Sequence, residues 1–383
     1  MKTETVKGFR DIENASKRFE IRKIIEETFK LYGFEGVETP VVEYEEFVKG
    51  ENSGDDAVSD IFKLEDKGKR KLALRYEFTF QLKRLAKNKK LPWKRYQIGE
   101  VFRDEPVKAN RWRQFTQCDI DTIGSSVRDE AEILKIVSEL MDKLGIKVEI
   151  NVNNRKLLNE IIDELKIKKK EQVMREIDKL DKLDEKEVKA NLKKYEAEKI
   201  IDILKKPKSY FKKYESYNEI EELEKYCKFY NIKINFVAFL VRGLSYYNGS
   251  VFEIKVPKVD GSVAGGGSYL VNGVQSTGIA FGLDRIEQLA NVEVDNKKVL
   301  IISIGKDKET VELADKLRGE GVACVVSFDK VGKALEYANS YSIPYVVFVG
   351  EEEVKKKKFK LKDMGSGEES FVSERDIGKK LRI

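Results

Sequence analysis

Apolar residues recur along the chain with two different periods, and this pattern separates predicted helices from predicted strands. Residues 16–33 show a spacing of three and four, which predicts an amphipathic helix that begins at a serine and ends at a glycine. Residues 126–145 predict a second helix of the same kind. The alternating runs 96–103 and 114–123 flank a basic loop and therefore predict a β-hairpin with a long tip.

A short apolar run, residues 236–241, precedes an unusual group of polar and aromatic residues. The run predicts a buried strand, and it is followed by Arg242, a glycine, Tyr246 and Tyr247 and then an Asn-Gly turn. A fixed cation, bare backbone and aromatic hydroxyls together suit a pocket for a small anionic and aromatic ligand. The alternative is a strand that ends in a hairpin with two surface tyrosines.

Changes of composition divide the chain into segments. Residues 1–153 and 230–290 form the two parts of a predicted α+β catalytic core, and residues 154–229 between them predict a highly charged helical insertion. That insertion either has a solvated, charge-laced surface or presents an RNA-binding face. Residues 291–298 read as a polar linker, and residues 299–383 alternate strands with helices as a small α/β domain does.

Composition restricts the chemistry. The 383 residues are 41% hydrophobic and 37% charged, with a net charge of +6, which indicates a globular chain of two or three domains. The sequence contains no histidine, so histidine-based triads, general bases and metal ligands are excluded. Three widely separated cysteines and the lack of an apolar leader favour a cytoplasmic protein.

Three arginines stand at the ends of otherwise apolar strand patterns: Arg103, Arg242 and Arg285. An arginine in such a position needs a carboxylate partner or an anionic ligand, because its charge is costly to bury alone. Three acidic residues are placed similarly: Glu77, Glu105 and Asp121. The set predicts a pocket for a phosphate-rich ligand with a divalent cation, and the alternative is a group of structural ion pairs. The phosphate-binding loop GxxxxGK[ST] is missing.

The order of several motifs resembles class II aminoacyl-tRNA synthetases, and histidyl-tRNA synthetase in particular. The motifs are the Pro40 segment, Phe-Arg-Asp-Glu at 102–105, Gln-Cys-Asp-Ile-Asp at 117–121, Arg-Gly-Leu-Ser-Tyr-Tyr at 242–247 and Gly-Ile-Ala-Phe-Gly-Leu-Asp-Arg at 278–285. Residues 333–339 and 343–352 are similar to the anticodon-binding domain of that family. The resemblance covers essentially the whole chain, and it implies an antiparallel sheet flanked by helices.

The resemblance implies that L-histidine is activated by ATP with Mg²⁺ and then transferred to tRNA(His), in a homodimer built around the Pro40 segment. The implied catalytic residues are Arg103, Arg242 and Arg285. The implied ATP site consists of Arg103, Glu105, Arg113, Phe115 and Arg285, and no protein ligand to the metal is assigned. The implied histidine site consists of Glu77, Thr79, Gln117, Asp121, Tyr246, Tyr247 and Tyr269. Arg111 is expected near the acceptor end of the tRNA.

Four positions depart from the family pattern. The family usually has Asp where Ser245 stands, often Glu at Asp121, and an Arg-Tyr-Asp run where this chain has Ser268, Tyr269 and Leu270. The loss of one arginine and one carboxylate together is expected to remove an ion pair without leaving a charge unpaired. The departures keep a second hypothesis open, a synthetase-like paralogue that binds histidine without charging tRNA, such as a regulatory subunit of ATP phosphoribosyltransferase.

Overall fold

The computed structural model describes residues 3–49, 60–107, 111–181, 183–241, 246–294 and 298–381. The chain forms two compact units, Met1–Val292 and Glu293–Ile383. Among the described residues, no helix combines the length and hydropathy that a membrane crossing requires.

The first unit is built on a sheet of eight strands within the described residues. Its strands are β1 (Glu35–Gly36), β5 (Trp93–Phe102), β6 (Gln114–Ile123), β7 (Glu149–Asn154), β8 (Asn235–Phe236), β9 (Tyr247–Lys255), β10 (Ser262–Val271) and β11 (Val274–Gly282). They lie in the order β1-β5-β6-β11-β10-β9-β7-β8. The five adjacent strands from β5 to β9 pair antiparallel, as does β9 with β7, while β1 and β8 add parallel edges. The predicted antiparallel sheet and its β5–β6 hairpin are confirmed.

A small second sheet lies in the same unit, with the order β2-β4-β3. Its strands are β2 (Val42–Tyr44), β3 (Lys63–Glu65) and β4 (Lys71–Leu74). Pro40 precedes β2, and it is exposed together with Val41, Val42 and Tyr44. This segment therefore presents apolar side chains to solvent in the single chain.

Helices cover one face of the large sheet. The first unit contains α1 (Ser16–Leu31), α2 (Glu45–Lys49), α3 (Leu82–Leu85), α4 (Val127–Lys143), α5 (Arg155–Glu164), α6 (Lys170–Asp178), α7 (Glu185–Leu192), α8 (Lys199–Leu204), α9 (Tyr217–Phe229) and α10 (Leu283–Leu289), with short 3₁₀ turns between some of them. Apolar residues of α1, α4 and α9 form one core with the sheet. Ser126 and Asp129 form a reciprocal cap at the N-terminus of α4. Gly145 follows its C-terminus with φ +70°, so the predicted start and end of this helix are confirmed.

The predicted strand 236–241 is wrong. The strand ends at Phe236, with one more hydrogen bond from the Val237 N–H to β7, and the chain then turns, with the Leu240 N–H donating to the Val237 carbonyl at 3.0 Å. Leu240 and Val241 are nevertheless buried. A short buried apolar run therefore occurs in a turn that packs against the sheet, where periodicity alone does not distinguish it from a strand. Residues 242–245, which include Arg242 and Ser245, lie outside the described residues.

The charged segment from α5 to α9 has an apolar core of its own, which includes Leu157, Val173, Val188, Ile200 and Phe211. Many of its surface lysines are paired. Lys189 lies 2.7 Å from Asp202, and Lys213 lies 2.8 Å from Glu164. Such exposed pairs contribute little stability, about 0–1 kcal/mol each. They do show that part of the positive charge of this surface is neutralised within it.

The second unit is a five-stranded sheet with helices, and the small α/β fold predicted from the sequence is confirmed. Its elements are β12 (Lys298–Ser303), α11 (Asp307–Gly319), β13 (Ala323–Ser327), α12 (Val331–Ser340), β14 (Tyr345–Val349), α13 (Glu351–Lys356), β15 (Lys358–Asp363), β16 (Glu369–Ser373) and α14 (Glu374–Lys380). The order is β13-β12-β14-β15-β16, in which β12 pairs parallel with both of its neighbours and the last two strands form an antiparallel hairpin.

Candidate active site

The face of the large sheet opposite the α1 and α4 core carries a row of buried polar side chains. Gln117, Asp119 and Asp121 alternate along β6 and therefore project to the same side. Their partners on β11 are small: Gly282 faces Gln117, Ala280 faces Asp119 and Gly278 faces Asp121. This leaves space above the row. A Cβ at Gly278 would overlap the Asp121 carboxylate, so glycine is required there for close approach.

Asp121 is held from two sides. Arg95, its register partner on β5, places Nη2 2.7 Å from Asp121 Oδ2. The Tyr269 hydroxyl donates to Asp121 Oδ1. Burial raises the pKa of Asp121, while the positive charge of Arg95 and the hydroxyl of Tyr269 oppose the rise. Burial also raises the pKa of Tyr269 well above its usual value, so its hydroxyl stays protonated and able to donate.

Three tyrosines form an aromatic wall beside this carboxylate. Tyr269 on β10 is the register partner of Tyr247 on β9. The Tyr246 ring lies 4.8 Å from that of Tyr247 and 5.5 Å from that of Tyr269, measured between centroids. The structure thus brings together Asp121 and all three predicted tyrosines, with Tyr269 as the one that contacts the carboxylate.

Glu77 and Thr79 lie at the other end of the row. Glu77 is only 4% exposed, and its Oε1 has no hydrogen-bond partner among the described residues. Burial raises its pKa to about 7, opposed by the charge of Arg103 and a hydrogen bond with Thr79. A buried carboxylate with an unpaired oxygen is suited to receive a cationic group from a ligand.

Arg103 connects the carboxylate row to the aromatic rim. Its Nη2 donates to Gln117 Oε1 at 3.3 Å, and the Gln117 amide donates in turn to both oxygens of Asp119, at 2.9 and 3.1 Å. The guanidinium lies over the rings of Tyr76, at 4.3 Å, and Phe115, at 5.1 Å. These contacts are loose, so the Arg103 guanidinium keeps donors for an anionic ligand.

Arg285 is anchored separately. It follows β11 at the start of α10, where Nη1 donates to the Ser262 carbonyl at 2.8 Å and Nη2 donates to the Asp260 carbonyl. Its neighbour Asp284 joins Arg10, at 2.7 Å, and Arg18, at 3.2 Å. The two adjacent charged residues thus differ in their contacts. Asp284 belongs to an ion-pair network with Arg10 and Arg18, whereas Arg285 donates to backbone carbonyls of a turn.

Four charged residues of the hairpin tip pair with one another, among them Glu105 and Arg113 of the predicted ATP site and Arg111, which was predicted near the tRNA acceptor end. Arg111 Nε lies 2.8 Å from Glu105 Oε2, and Arg113 lies 3.1 Å from Asp104. The Glu105 carbonyl accepts from Arg113 Nε at 3.0 Å. Residues 108–110 lie outside the described part of the chain. These four described residues of the loop neutralise one another's charges.

Two buried charged residues escaped the sequence analysis of the site. Arg95 is fully buried, and Asp119 is 3% exposed, with its pKa raised by burial. Asp119 alternates with two predicted site residues, Gln117 and Asp121, and Arg95 lies in the alternating strand that pairs with them. That alternation was the available signal.

The structure shows what surrounds Ser268, while the expected loss of an ion pair at positions 268 and 270 stays a prediction. Ser268 is buried on the helix side of β10, where Ser250 and Ser268 hydrogen-bond to Glu130 of α4. Glu130 is 5% exposed, and burial raises its pKa to about 7. A buried carboxyl thus lies beside Ser268, and two hydroxyls contact it. Leu270 is half exposed.

An antiparallel sheet of this order, covered by helices on one face and carrying arginine and buried carboxylates on the other, defines a class II aminoacyl-tRNA synthetase core. A family model described as histidyl-tRNA synthetase matches residues 8–286, and one described as anticodon binding domain matches residues 298–382. The chain belongs to the histidyl-tRNA synthetase family.

Individual relatives agree over nearly the full length. Histidine–tRNA ligase 2 of Shouchella clausii is 35% identical over 96% of this chain and 98% of the relative. The crystal structure of histidyl-tRNA synthetase from Nostoc has a TM-score of 0.86 at 26% identity, covering 100% of this chain and 99% of that one. A Bacillus halodurans structure described as an ATP phosphoribosyltransferase regulatory subunit/histidyl-tRNA synthetase has a TM-score of 0.77 at 20% identity, covering 88% of this chain and 96% of that one, which shows the shared fold alone.

Proposed function

We propose that the chain is a histidine–tRNA ligase, which activates L-histidine with ATP and transfers the histidyl group to the 3′ end of tRNA(His). The observation that carries this proposal is the row of buried polar groups from Glu77 to Asp121. It offers an unpaired carboxylate oxygen at one end and a carboxylate contacted by a tyrosine hydroxyl at the other. The Asp121 end suits a polar side chain, and the Glu77 end suits the α-ammonium group of the same amino acid.

The histidine side chain would occupy the Asp121 end. A neutral imidazole donates from one ring nitrogen and accepts at the other, so it needs an acceptor and a donor in fixed positions. Asp121 provides the acceptor, and a tyrosine hydroxyl, from Tyr246 or Tyr247, is the proposed donor. A site of buried polar groups discriminates strongly, because an analogue without the matching group leaves one of them unpaired.

The backbone groups of the amino acid would lie toward Glu77. Glu77, Thr79 and Gln117 are the proposed partners of the α-ammonium group. Binding of this cation favours the ionised form of Glu77, whose pKa of about 7 in the free protein then falls. The carboxylate of the substrate would point to Arg103 and to Arg242.

ATP would lie across the rim formed by Arg103 and Phe115. In the proposed reaction, a carboxylate oxygen of histidine attacks the α-phosphorus, and the bond to the leaving diphosphate breaks. Arg103 and Arg242 would stabilise charge on the α-phosphate, and Arg285 would bind the γ-phosphate. Phe115 would stack on adenine.

The hairpin tip must rearrange to complete this ATP site. Glu105 is proposed to accept from the adenine amino group and Arg113 to contact ATP, so both would exchange their present contacts within the loop for contacts with ATP.

Mg²⁺ is proposed as the counter-ion of the triphosphate, whose negative charge it would partly neutralise. The described residues contain no group of three or more carboxylate, thiol or imidazole side chains able to hold a metal ion. The ion would therefore be bound chiefly by phosphate oxygens and water, as Mg²⁺ often is in nucleotide sites.

The remaining assignments concern partners. The 299–383 domain would bind the anticodon, and Arg111 the acceptor end of the tRNA. A homodimer would cover the exposed apolar residues beside Pro40, and the protein would act in the cytoplasm. We further assign residues 1–153 and 230–290 to the catalytic core, 154–229 to an insertion and 291–298 to a linker.

Histidine-dependent exchange of radioactive diphosphate into ATP tests the proposed activation step. The purified chain should catalyse exchange with L-histidine and not with the other common amino acids. If ATP and histidine both bind and no exchange occurs, the ligase assignment fails. A histidine-binding regulatory paralogue, whose fold the Bacillus halodurans structure shares, would then take its place.

A further inference from the structure

Arg95 is the largest fully buried side chain among the described residues, and its charge lies beneath the proposed substrate site. It projects from β5 opposite Asp121, with Nη2 2.7 Å from Asp121 Oδ2. The same nitrogen donates to the Phe78 carbonyl at 3.1 Å. Phe78 stands between Glu77 and Thr79, so one guanidinium links Asp121 to the backbone of the segment that carries Glu77.

The charge of Arg95 opposes an accumulation of buried negative charge. Three carboxylates lie close to it: Glu77, Asp119 and Asp121. The positive charge of Arg95 lowers the pKa of each of them against the effect of burial. Arginine is suited to this task because its guanidinium stays protonated inside proteins.

Asp121 itself is surrounded by a defined set of titratable groups. Arg95 reaches it from β5, Asp119 lies two residues away on β6, and Glu77 faces it from the segment after β4. Tyr269 contacts it from β10, with the Tyr246 and Tyr247 rings beside that tyrosine. The neighbour on β11 is Gly278, which has no side chain. Arg95 is therefore the one cation in direct contact with Asp121 among the described residues.

We propose that Arg95 is a positioning residue for substrate recognition, which keeps Asp121 ionised and oriented so that Asp121 can only accept a hydrogen bond. Arg95 contacts Oδ2 of Asp121, and Tyr269 contacts Oδ1. An ionised carboxylate has about four acceptor positions, so acceptor capacity remains for a ring N–H of the ligand. The pocket thereby selects an aromatic ring that donates at this point. This inference rests on the proposed function.

The unused donors of Arg95 support a role beyond one ion pair. Its Nε and Nη1 are buried without a hydrogen-bond partner among the described residues. Buried donors usually find partners, since a buried polar group loses its hydrogen bonds to water and must replace them. Stability alone does not explain Arg95, because an apolar residue of similar volume would fill the same space without leaving two donors unpaired.

The test compares Arg95→Met, Arg95→Lys, Asp121→Asn and the double variant Arg95→Met with Asp121→Asn. Histidine binding is measured by calorimetry from pH 6 to 9, and KM for histidine and kcat are measured by diphosphate exchange. Arg95→Met should weaken histidine binding on the order of 100-fold at pH 7, raising KM far more than it lowers kcat. Arg95→Lys, which keeps the charge, should bind histidine at least tenfold more tightly than Arg95→Met does.

Two further readouts separate positioning from a merely structural role. The ratio of the Kd of Arg95→Met to that of the unchanged protein should fall as the pH rises, because Asp121 without its cation ionises only at higher pH. In the Asp121→Asn background the same substitution should change the Kd less than threefold. A ratio that is constant with pH, or an equal loss in both backgrounds, would overturn the proposal.

The controls separate the proposed role of Arg95 from the proposed ligase activity. Circular dichroism and urea unfolding show whether each variant is folded. The double variant, which removes both charges of the Arg95–Asp121 pair, supplies the comparison if Arg95→Met alone does not fold. In that case a threefold or greater difference between the double variant and Asp121→Asn overturns the proposal. If the unchanged protein binds histidine but shows no exchange, the proposed ligase activity fails while the binding test of Arg95 still stands.

Discussion

Replacing Glu77 by glutamine is expected to stabilise the protein and to abolish histidine binding. Glu77 is almost fully buried, and its pKa is about 7 instead of 4.5. Such a rise means that ionising Glu77 costs the folded state about 3 kcal/mol. Glutamine has nearly the same shape and carries no charge to desolvate, so up to this amount would be recovered, less any hydrogen bond lost at Thr79.

The sign of the pH dependence follows from the same pKa. Between about pH 4.5 and 7 the unfolded chain releases the Glu77 proton while the folded protein keeps it. The contribution of Glu77 to the free energy of unfolding is therefore fully present below pH 4.5, and it is lost as the pH rises through 7. The stability gained in Glu77→Gln should be absent at low pH, grow across this interval and be constant above it.

Glu130 provides a matched control. It is as buried as Glu77, and burial raises its pKa to the same value, about 7, but it lies on the helix side of the sheet. Glu130→Gln should therefore give a similar pH-dependent gain in urea unfolding at pH 5 and 8. Calorimetry should show histidine binding unchanged in Glu130→Gln and lost by at least 100-fold in Glu77→Gln. If Glu77→Gln bound histidine normally, or gained no stability at pH 8, the reasoning about this carboxylate would be refuted.

Three further variants test other parts of the site. Arg242→Ala should reduce the rate of diphosphate exchange by at least 100-fold with unfolding unchanged, since its proposed role is in the transition state; retained exchange would show that the clamp is misplaced. Tyr269→Phe removes the hydroxyl that donates to Asp121, and it should weaken histidine binding about 10-fold in calorimetry while ATP binding stays the same. Gly278→Ala would place a methyl group against the Asp121 carboxylate. The free energy of histidine binding should therefore weaken by more than the free energy of urea unfolding does. Normal histidine binding would show that Asp121 can move at no cost.

Local signals allowed most of the fold to be predicted. The β5–β6 hairpin, the capped helix α4 with Gly145 at its end, and the alternating elements of the second unit each depend on periodicity and on nearby residues. Where the signal was weaker, prediction failed. The six apolar residues 236–241 were too few to separate a strand from a buried turn, because both require the same side chains.

The site was predictable only in part, because its electrostatics depend on strand pairing between distant segments. Asp121 was identified, but the arginine that contacts it lies 26 residues earlier, and the fact that they face one another follows from the register of β5 and β6. Glu130 shows the same limit. It is buried because β9 and β10 pack over it, more than 100 residues further along the chain, and its own helix gives no sign of this.

The lack of histidine makes the ionisation of this site unusually easy to observe. In most enzymes, a titration near pH 7 is assigned first to histidine. Here the groups that burial brings into this range are carboxyls, among them Glu77 on the open face and Glu130 behind the sheet. When histidine is added, the only imidazole present belongs to the ligand, so its ring signals in nuclear magnetic resonance report the bound substrate directly. The protonation of the ligand and that of the carboxylates around it can thus be followed separately, and the proposed pairing of a ring N–H with Asp121 becomes measurable atom by atom.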